Sequence, residues 1–263
     1  MEKNLKRPGD RSIRTVQLRP LTLLLALLVA GCAVPERAAT PAPTSPTPQR
    51  SGFVRPSRTA VPVAAFPAYS ATAKVPSVAV HASAGGRVTR TLANPQPSGA
   101  PLVFLVRQRA GAWVEVELPV RPNGSTGWVR AADVTVAGVA YRLDVLRSEH
   151  QLKVYRFGAL ERTLPIGVGR GETPTPGGTF YLKELLRPPN PRGAYGPYAY
   201  GLSGFSNTLT SFNGGDGVIG LHGTNEPQLV GKDVSHGCIR LRNADITSLV
   251  KELPLGTPVR ILA

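Results

Sequence analysis

The residues best suited to chemistry fall in one window, where His222-Gly223-Thr224 is followed by a loop and then Ser235-His236-Gly237-Cys238-Ile239-Arg240. The 263-residue chain has two cysteines and four histidines, and one Cys and two His lie here. A thiol with an ordinary pKa of about 8.5 is mostly protonated at neutral pH, so a cysteine nucleophile needs an imidazole to take its proton. His236 stands two positions before Cys238 and would share its face on an extended stretch. His222 stands sixteen before, the length of a strand, a loop and a returning strand. Spacing alone allows either as the base. Gly237 permits a tight bend, which would aim the amides of Gly237 and Cys238 at a carbonyl oxygen gaining charge, with Ser235 in support. Arg240 reads as a brace for the loop more than as a direct contact to a substrate carboxylate. His222, His236 and Cys238 are also zinc-type ligands, but a closed site wants four and the other cysteine, Cys32, lies far upstream. The nucleophile reading therefore outranks metal, and no cofactor is expected.

These residues must be held by β structure. Val78-Ala79-Val80, Leu102 to Arg107, Trp113 to Leu118 and Gly127 to Arg130 are short β-rich runs, separated by turn residues such as Arg109-Ala110-Gly111 and Asn123-Gly124. Trp113 to Leu118 alternates apolar with acidic, as a half-buried strand does, and Trp113 and Trp128 are expected in the core of a small barrel. Tyr141 to Val145, Leu152 to Phe157 and Leu164 to Val168 continue the pattern. The stretch Gly169 to Phe180 is glycine-rich but lacks the Gly-Lys-Ser/Thr ending of a phosphate loop, and reads as a structural loop. Residues 185–210, with Pro189, Pro191, Gly193, Tyr195, Pro197 and Tyr198, read as a lid over the cleft. Asn243 is expected to cap a helix carrying Ile246, Leu249, Val250 and Leu253, stopped by Pro254. Val259 to Leu262 is the expected last strand.

The N-terminal segment indicates where this chemistry is done. Lys3, Lys6, Arg7, Arg11, Arg14 and Arg19 precede the apolar run Leu21 to Ala30, a charged region followed by a stretch well short of the roughly 20 residues needed to cross a bilayer. The export signal is placed at residues 1–31. It ends Val29-Ala30-Gly31-Cys32, which resembles the bacterial lipoprotein processing box and implies a lipid on Cys32, a membrane anchor and an exported protein. From 33 to 76 there are nine prolines in 44 residues, a tether that extended polyproline geometry would carry on the order of 100 Å from the anchor. A lipidated Cys32 leaves Cys238 without a disulfide partner, and catalysis is the commonest reason to keep a free thiol outside the cytoplasm. The formal charge is +15, and the part after residue 31 keeps 25 basic against 14 acidic residues. With no zinc-finger, helix-turn-helix or RNA-binding signature, that charge suggests anionic headgroups or wall polymers and no nucleic acid.

Two resemblances complete the picture. The runs over 76–138, closing on Gly127-Trp128-Val129-Arg130-Ala131-Ala132-Asp133-Val134, resemble a bacterial SH3-like barrel. His222-Gly223-Thr224 with Ser235-His236-Gly237-Cys238-Ile239-Arg240, preceded by Thr173-Pro174-Thr175-Pro176-Gly177-Gly178-Thr179-Phe180, resembles the L,D-transpeptidase (YkuD-like) catalytic domain over 139–263. The expected chain is thus mainly β: leader 1–31, lipidated tether 32–75, SH3-like barrel 76–138, then a YkuD-like β-sandwich with one or two short helices. The second resemblance implies Cys238 as nucleophile, His222 as base, the Gly223 carbonyl orienting the imidazole, and His236 as a supporting or substrate-side residue; Arg240 and Thr224 are read as substrate-contacting or structural. It also implies peptidoglycan stem peptides as substrates, joined by 3→3 cross-links after loss of the terminal D-alanine. An L,D-carboxypeptidase using water as acceptor, and a non-enzymatic wall-binding lipoprotein, are the competing readings. No residue pattern sets an oligomeric state.

Overall fold

The computed structural model describes residues 67–211 and 215–263. The expected leader, Cys32 and the tether as far as residue 66 lie outside them. Strands β1 (Ala68–Ala73), β2 (Ser77–His81), β3 (Val88–Ala93), β4 (Val103–Ala110), β5 (Trp113–Glu117), β6 (Thr126–Arg130) and β7 (Val134–Val139) form an antiparallel sheet in the order β3-β2-β6-β5-β4-β1-β7. Its core is drawn from the inward half of each alternation: Val78 and Val80, Phe104, Val114 and Val116, and Val129.

Three expectations change here. β1 falls inside the stretch read as tether, where Ala-Tyr-Ser-Ala-Thr-Ala gives little apolar alternation, yet it pairs along its whole length with β7. β3 went unread because nearly all its residues are exposed, so no buried face marks it. Trp113 and Trp128 are half-buried outside the core, because Val114, Val116 and Val129 take the inward positions of β5 and β6. The Trp113 ring instead meets His81 edge-on at 4.7 Å and lies under the Arg130 guanidinium at 5.5 Å.

The second half comprises β8 (Tyr141–Leu146), β9 (Gln151–Arg156), β10 (Ala159–Pro165), β11 (Val168–Gly169), β12 (Gly178–Leu186), β13 (Ala199–Phe205), β14 (Val218–His222), β15 (Asp233–Ser235), β16 (Ile239–Arg240), α1 (Asn243–Val250) and β17 (Pro258–Leu262). Eight of these strands form a mixed sheet in the order β10-β9-β8-β17-β12-β13-β14-β16, and β11 pairs in parallel with β15 beside it. The core runs from Leu143, Val145, Leu152 and Val154 through Leu182, Leu202 and Leu221 to Ile246 and Leu249 of α1. The chain is mainly β, as its alternation indicated. β13 contradicts the lid expected over 185–210, since all seven of its residues are buried. Its glycines disguised it: a Cβ on Gly204 would strike the Phe180 ring, so close packing rather than a loop calls for that residue. The excursion shrinks to the stretch between Leu186 and Ala199.

Specific bonds join the two sheets. Tyr181 donates its hydroxyl to the Glu117 carbonyl at 3.3 Å, and Gln96 Nε2 donates to the Lys183 carbonyl at 3.2 Å. Asn123, in the turn between β5 and β6, bonds both backbone groups of Phe205 as a neighbouring strand would, at 2.9 and 2.8 Å.

Candidate active site

β14 and β16 run in parallel and side by side, with Leu221 opposite Ile239 and His222 opposite Arg240. That pairing brings the two halves of the sequence window together. Cys238 is a free thiol just before β16, and its Sγ accepts the Gly220 amide at 3.3 Å. A Cβ built on Gly220 would lie 3.5 Å from Cys238 Sγ and 3.2 Å from His222 Cδ2, so thiol and imidazole edge face one point above that glycine.

His222 is 3% exposed and its Nδ1 is 2.6 Å from the Gly223 carbonyl oxygen. A carbonyl can only accept, so Nδ1 carries the proton and the lone pair sits on Nε2, beside Cδ2. Burial lowers the His222 pKa to about 4, opposed by the Gly223 bond and assisted by the Arg240 charge. Burial pushes the Cys238 thiol up, while the Gly220 amide and Arg240 pull it down. The resting pair is therefore a neutral thiol and a neutral imidazole at pH 7, arranged for proton transfer during attack.

The turn before the thiol is locked by Ser235. Its hydroxyl donates to the Cys238 carbonyl at 2.6 Å and accepts the Gly237 amide at 3.1 Å. The Gly237 amide is thus already used, which corrects its expected role as an oxyanion donor: its hydrogen points back to Ser235. Gly237 is required for its backbone, with φ at +112°, a region that side chains with a Cβ rarely adopt. The Cys238 amide has no acceptor among the described residues and is the donor left at this turn.

The other expected residues divide. His236 takes a hydrogen bond from Arg170 Nη2 at 3.0 Å through its Nε2, so that nitrogen is occupied by a cation. Arg240 pairs with Glu226 at 3.1 Å, and its Nε is buried without a partner. Thr224 is buried behind the site, its amide donating to Asn243 Oδ1 at 2.8 Å and its hydroxyl accepting the Glu226 amide at 3.0 Å. That bond replaces the helix cap expected of Asn243: α1 starts after Arg242 with no side-chain cap, because Asn243 turns toward the loop after β14.

Sequence reasoning missed Gly220, read Asn243 only as a helix cap, and placed Tyr195 in the lid over the cleft without assigning it a partner. The Tyr195 ring lies 4.8 Å from that of His222, reaching over from the 187–198 excursion. Only Gly220 left a local signal, two residues before His222 and hence on the same strand face. Two cavities open on the pair. A small one of about 80 Å³ is lined by Tyr195, His222, Ser235, His236, Cys238 and Arg240. A larger one of about 740 Å³ reaches Cys238 and His222 from the side of Glu184, Arg187 and Tyr200.

A thiol with a buried imidazole steered by a backbone carbonyl defines an acyl-transfer class of site. A family model, the L,D-transpeptidase catalytic domain (YkuD), matches residues 140–261. The YkuD protein of Bacillus licheniformis is 38% identical over 123 residues, covering 47% of this chain and 66% of that protein. YkuD of Bacillus subtilis is 32% identical over 150 residues, covering 55% of this chain and 83% of that one. The crystal structure of an L,D-transpeptidase from Mycobacterium tuberculosis is 20% identical with a TM-score of 0.41, covering 61% of this chain and 72% of that one. The chain belongs to the L,D-transpeptidase (YkuD) family.

Proposed function

We propose that the protein is a cysteine-dependent peptidoglycan L,D-transpeptidase, with Cys238 as nucleophile and His222 as base. The observation that carries this reading is His222, held through Nδ1 by the Gly223 carbonyl, with its Cδ2 edge and the Cys238 thiol facing one point above Gly220. His222 Nε2 takes the thiol proton as Sγ attacks the carbonyl carbon of the third stem residue, a diamino acid. The tetrahedral oxyanion is met by the Cys238 amide. His222 then returns the proton to the departing amine, D-alanine leaves, and a thioester remains. A side-chain amine of a second stem attacks the thioester and gives its proton to His222. The new 3→3 amide forms and the thiol is restored. Two cavities meeting at one thiol fit a reaction that admits a donor and an acceptor.

The reading extends to location. Residues 1–31 act as an export signal, Cys32 carries the lipid, and the proline-rich tether lets the folded part reach the wall outside the membrane. Residues 76–138 are read as the SH3-like module, to which β1 adds a strand. The test incubates the protein, and a Cys238→Ala variant, with a disaccharide-tetrapeptide and follows products by mass spectrometry. A dimer lacking one D-alanine supports transfer. Tripeptide alone assigns the site to an L,D-carboxypeptidase, and no Cys238-dependent change leaves the wall-binding lipoprotein.

A further inference from the structure

Two glycines, Gly201 and Gly220, line the larger cavity between Glu184 and Cys238. Glu184 of β12 is the register partner of Gly201 in β13, and Gly201 that of Gly220 in β14, so the three lie in one row on one face of the sheet. The row ends at Cys238, whose Sγ takes the Gly220 amide. A Cβ on Gly201 would come within 2.6 Å of Glu184 Oε1, and one on Gly220 would crowd the thiol and the imidazole. Gly201 therefore gives its space to the Glu184 side chain, and Gly220 leaves a short trough between that carboxylate and the Cys238 thiol; all four residues line the cavity. Two strand spacings, roughly 10 Å, separate the Glu184 and Gly220 backbones, and the carboxylate reaches over Gly201 into that span.

Glu184 is 7% exposed. Its Oε1 pairs with Lys183 Nζ at 2.7 Å, and its Oε2 accepts the Ser98 hydroxyl at 2.5 Å. A carboxylate has about four acceptor directions, so capacity remains on the cavity side. Ser98 lies between β3 and β4, so the N-terminal sheet helps to fix the carboxylate that faces the site.

We propose that this trough seats the side chain of the residue whose carbonyl Cys238 attacks, with Glu184 as the specificity-determining residue that reads its terminal ammonium. The assignment rests on the acyl-transfer reading above. A linear diamino-acid side chain fits along such a trough, Gly220 removes the Cβ that would block it, Gly201 admits the carboxylate, and a buried carboxylate at the far end favours a cation over a neutral terminus.

The full-length protein and its Glu184→Gln variant are each given two tetrapeptide stems, one with a free side-chain amine on the third residue and one with that amine acetylated. The rate of Cys238 acylation is followed by rapid-quench mass spectrometry. The native protein is expected to prefer the free amine on the order of tenfold or more, the scale of a hydrogen bond to a charged group. In Glu184→Gln the preference collapses toward unity. Taking the ratio within each protein cancels any loss of folded variant. Equal rates in the native protein, or an undiminished preference in Glu184→Gln, overturn the assignment and leave acyl transfer standing. No acylation of the native protein by either stem overturns the acyl-transfer reading itself, and this assignment with it.

Discussion

Asn243 Oδ1 accepts the Thr224 amide at 2.8 Å and in doing so lies against the α-carbon of Gly223, the residue whose carbonyl holds the His222 imidazole. One amide side chain at the start of α1 thus fixes the loop that aims the base. A Cβ on Gly223 would overlap that oxygen and come within 3.1 Å of both Gly196 Cα and Pro197 Cδ, so glycine is needed here for close approach.

Gly223→Ser is expected to destabilise the protein by roughly 1–3 kcal/mol through overpacking. Asn243→Ala is expected to cost about 1 kcal/mol by stranding the Thr224 amide. In the double variant the overlap is relieved, so the combined loss is smaller than the sum of the two. Urea unfolding of the four proteins measures the coupling, and strict additivity would remove Asn243 from this role.

The His222 pKa, lowered to about 4, sets a pH dependence. In the proposed mechanism the neutral imidazole is the competent base, so Cys238 acylation should persist well below pH 6.5 and fail as pH falls through about 4. Stability moves in the same direction. The unfolded His titrates at about 6.5 and the folded one at about 4, so the unfolded state binds the extra proton between these values. Stability from this group is whole above pH 6.5 and falls by about 3 kcal/mol as pH drops to 4. Acylation rates and urea midpoints in the native protein and His222→Gln separate this group from the carboxylates.

The two histidines should differ in kind. His222→Ala is expected to lower the acylation rate by at least about a hundredfold, the scale of a lost general base. His236→Ala should cost less, because its Nε2 is held by Arg170. Single-turnover acylation of both variants measures the order, and the reverse order would transfer the base assignment to His236.

Arg121 links the sheets near the larger cavity. Its guanidinium donates to the carbonyls of Ser206, Leu209 and Asp216 at 2.9 to 3.0 Å and stacks over Phe205 at 4.8 Å. Asp216 and Gly217 line the cavity. Arg121→Ala is expected to lower stability by about 1–2 kcal/mol, given the exposure of some of these bonds. It should also raise KM for the stem peptide more than it lowers kcat. Thermal unfolding and steady-state kinetics give the two values, and a fall in kcat alone would count against a role in shaping the cavity.

The β class, several alternating strands and the window holding Cys238 were legible in the chain, because alternation and spacing are local and covalent. Strands β5, β8 and β9 showed themselves through Val114, Val116, Leu143, Val145, Leu152 and Val154. Strands β1, β3, β12 and β13 did not. An exposed edge strand has no alternation to read, and a strand buried on both faces with Gly201 and Gly204 in it looks like a loop.

The sequence by itself determined that a thiol and two imidazoles would be concentrated on a β framework with glycine at the thiol's turn. Tertiary structure decided what each of them touches. His222 and His236 are equivalent in spacing until the Gly223 carbonyl takes one ring and Arg170 the other. Gly237 is an available amide until Ser235 folds back on it. Asn243 is a helix cap until Thr224 lies within reach, and Glu184 is an ordinary strand residue until Gly201 and Gly220 align it with Cys238. In each case the deciding hydrogen bond or contact joins groups brought together by folding, across strands or within a tight turn, where residue spacing carries no information about direction.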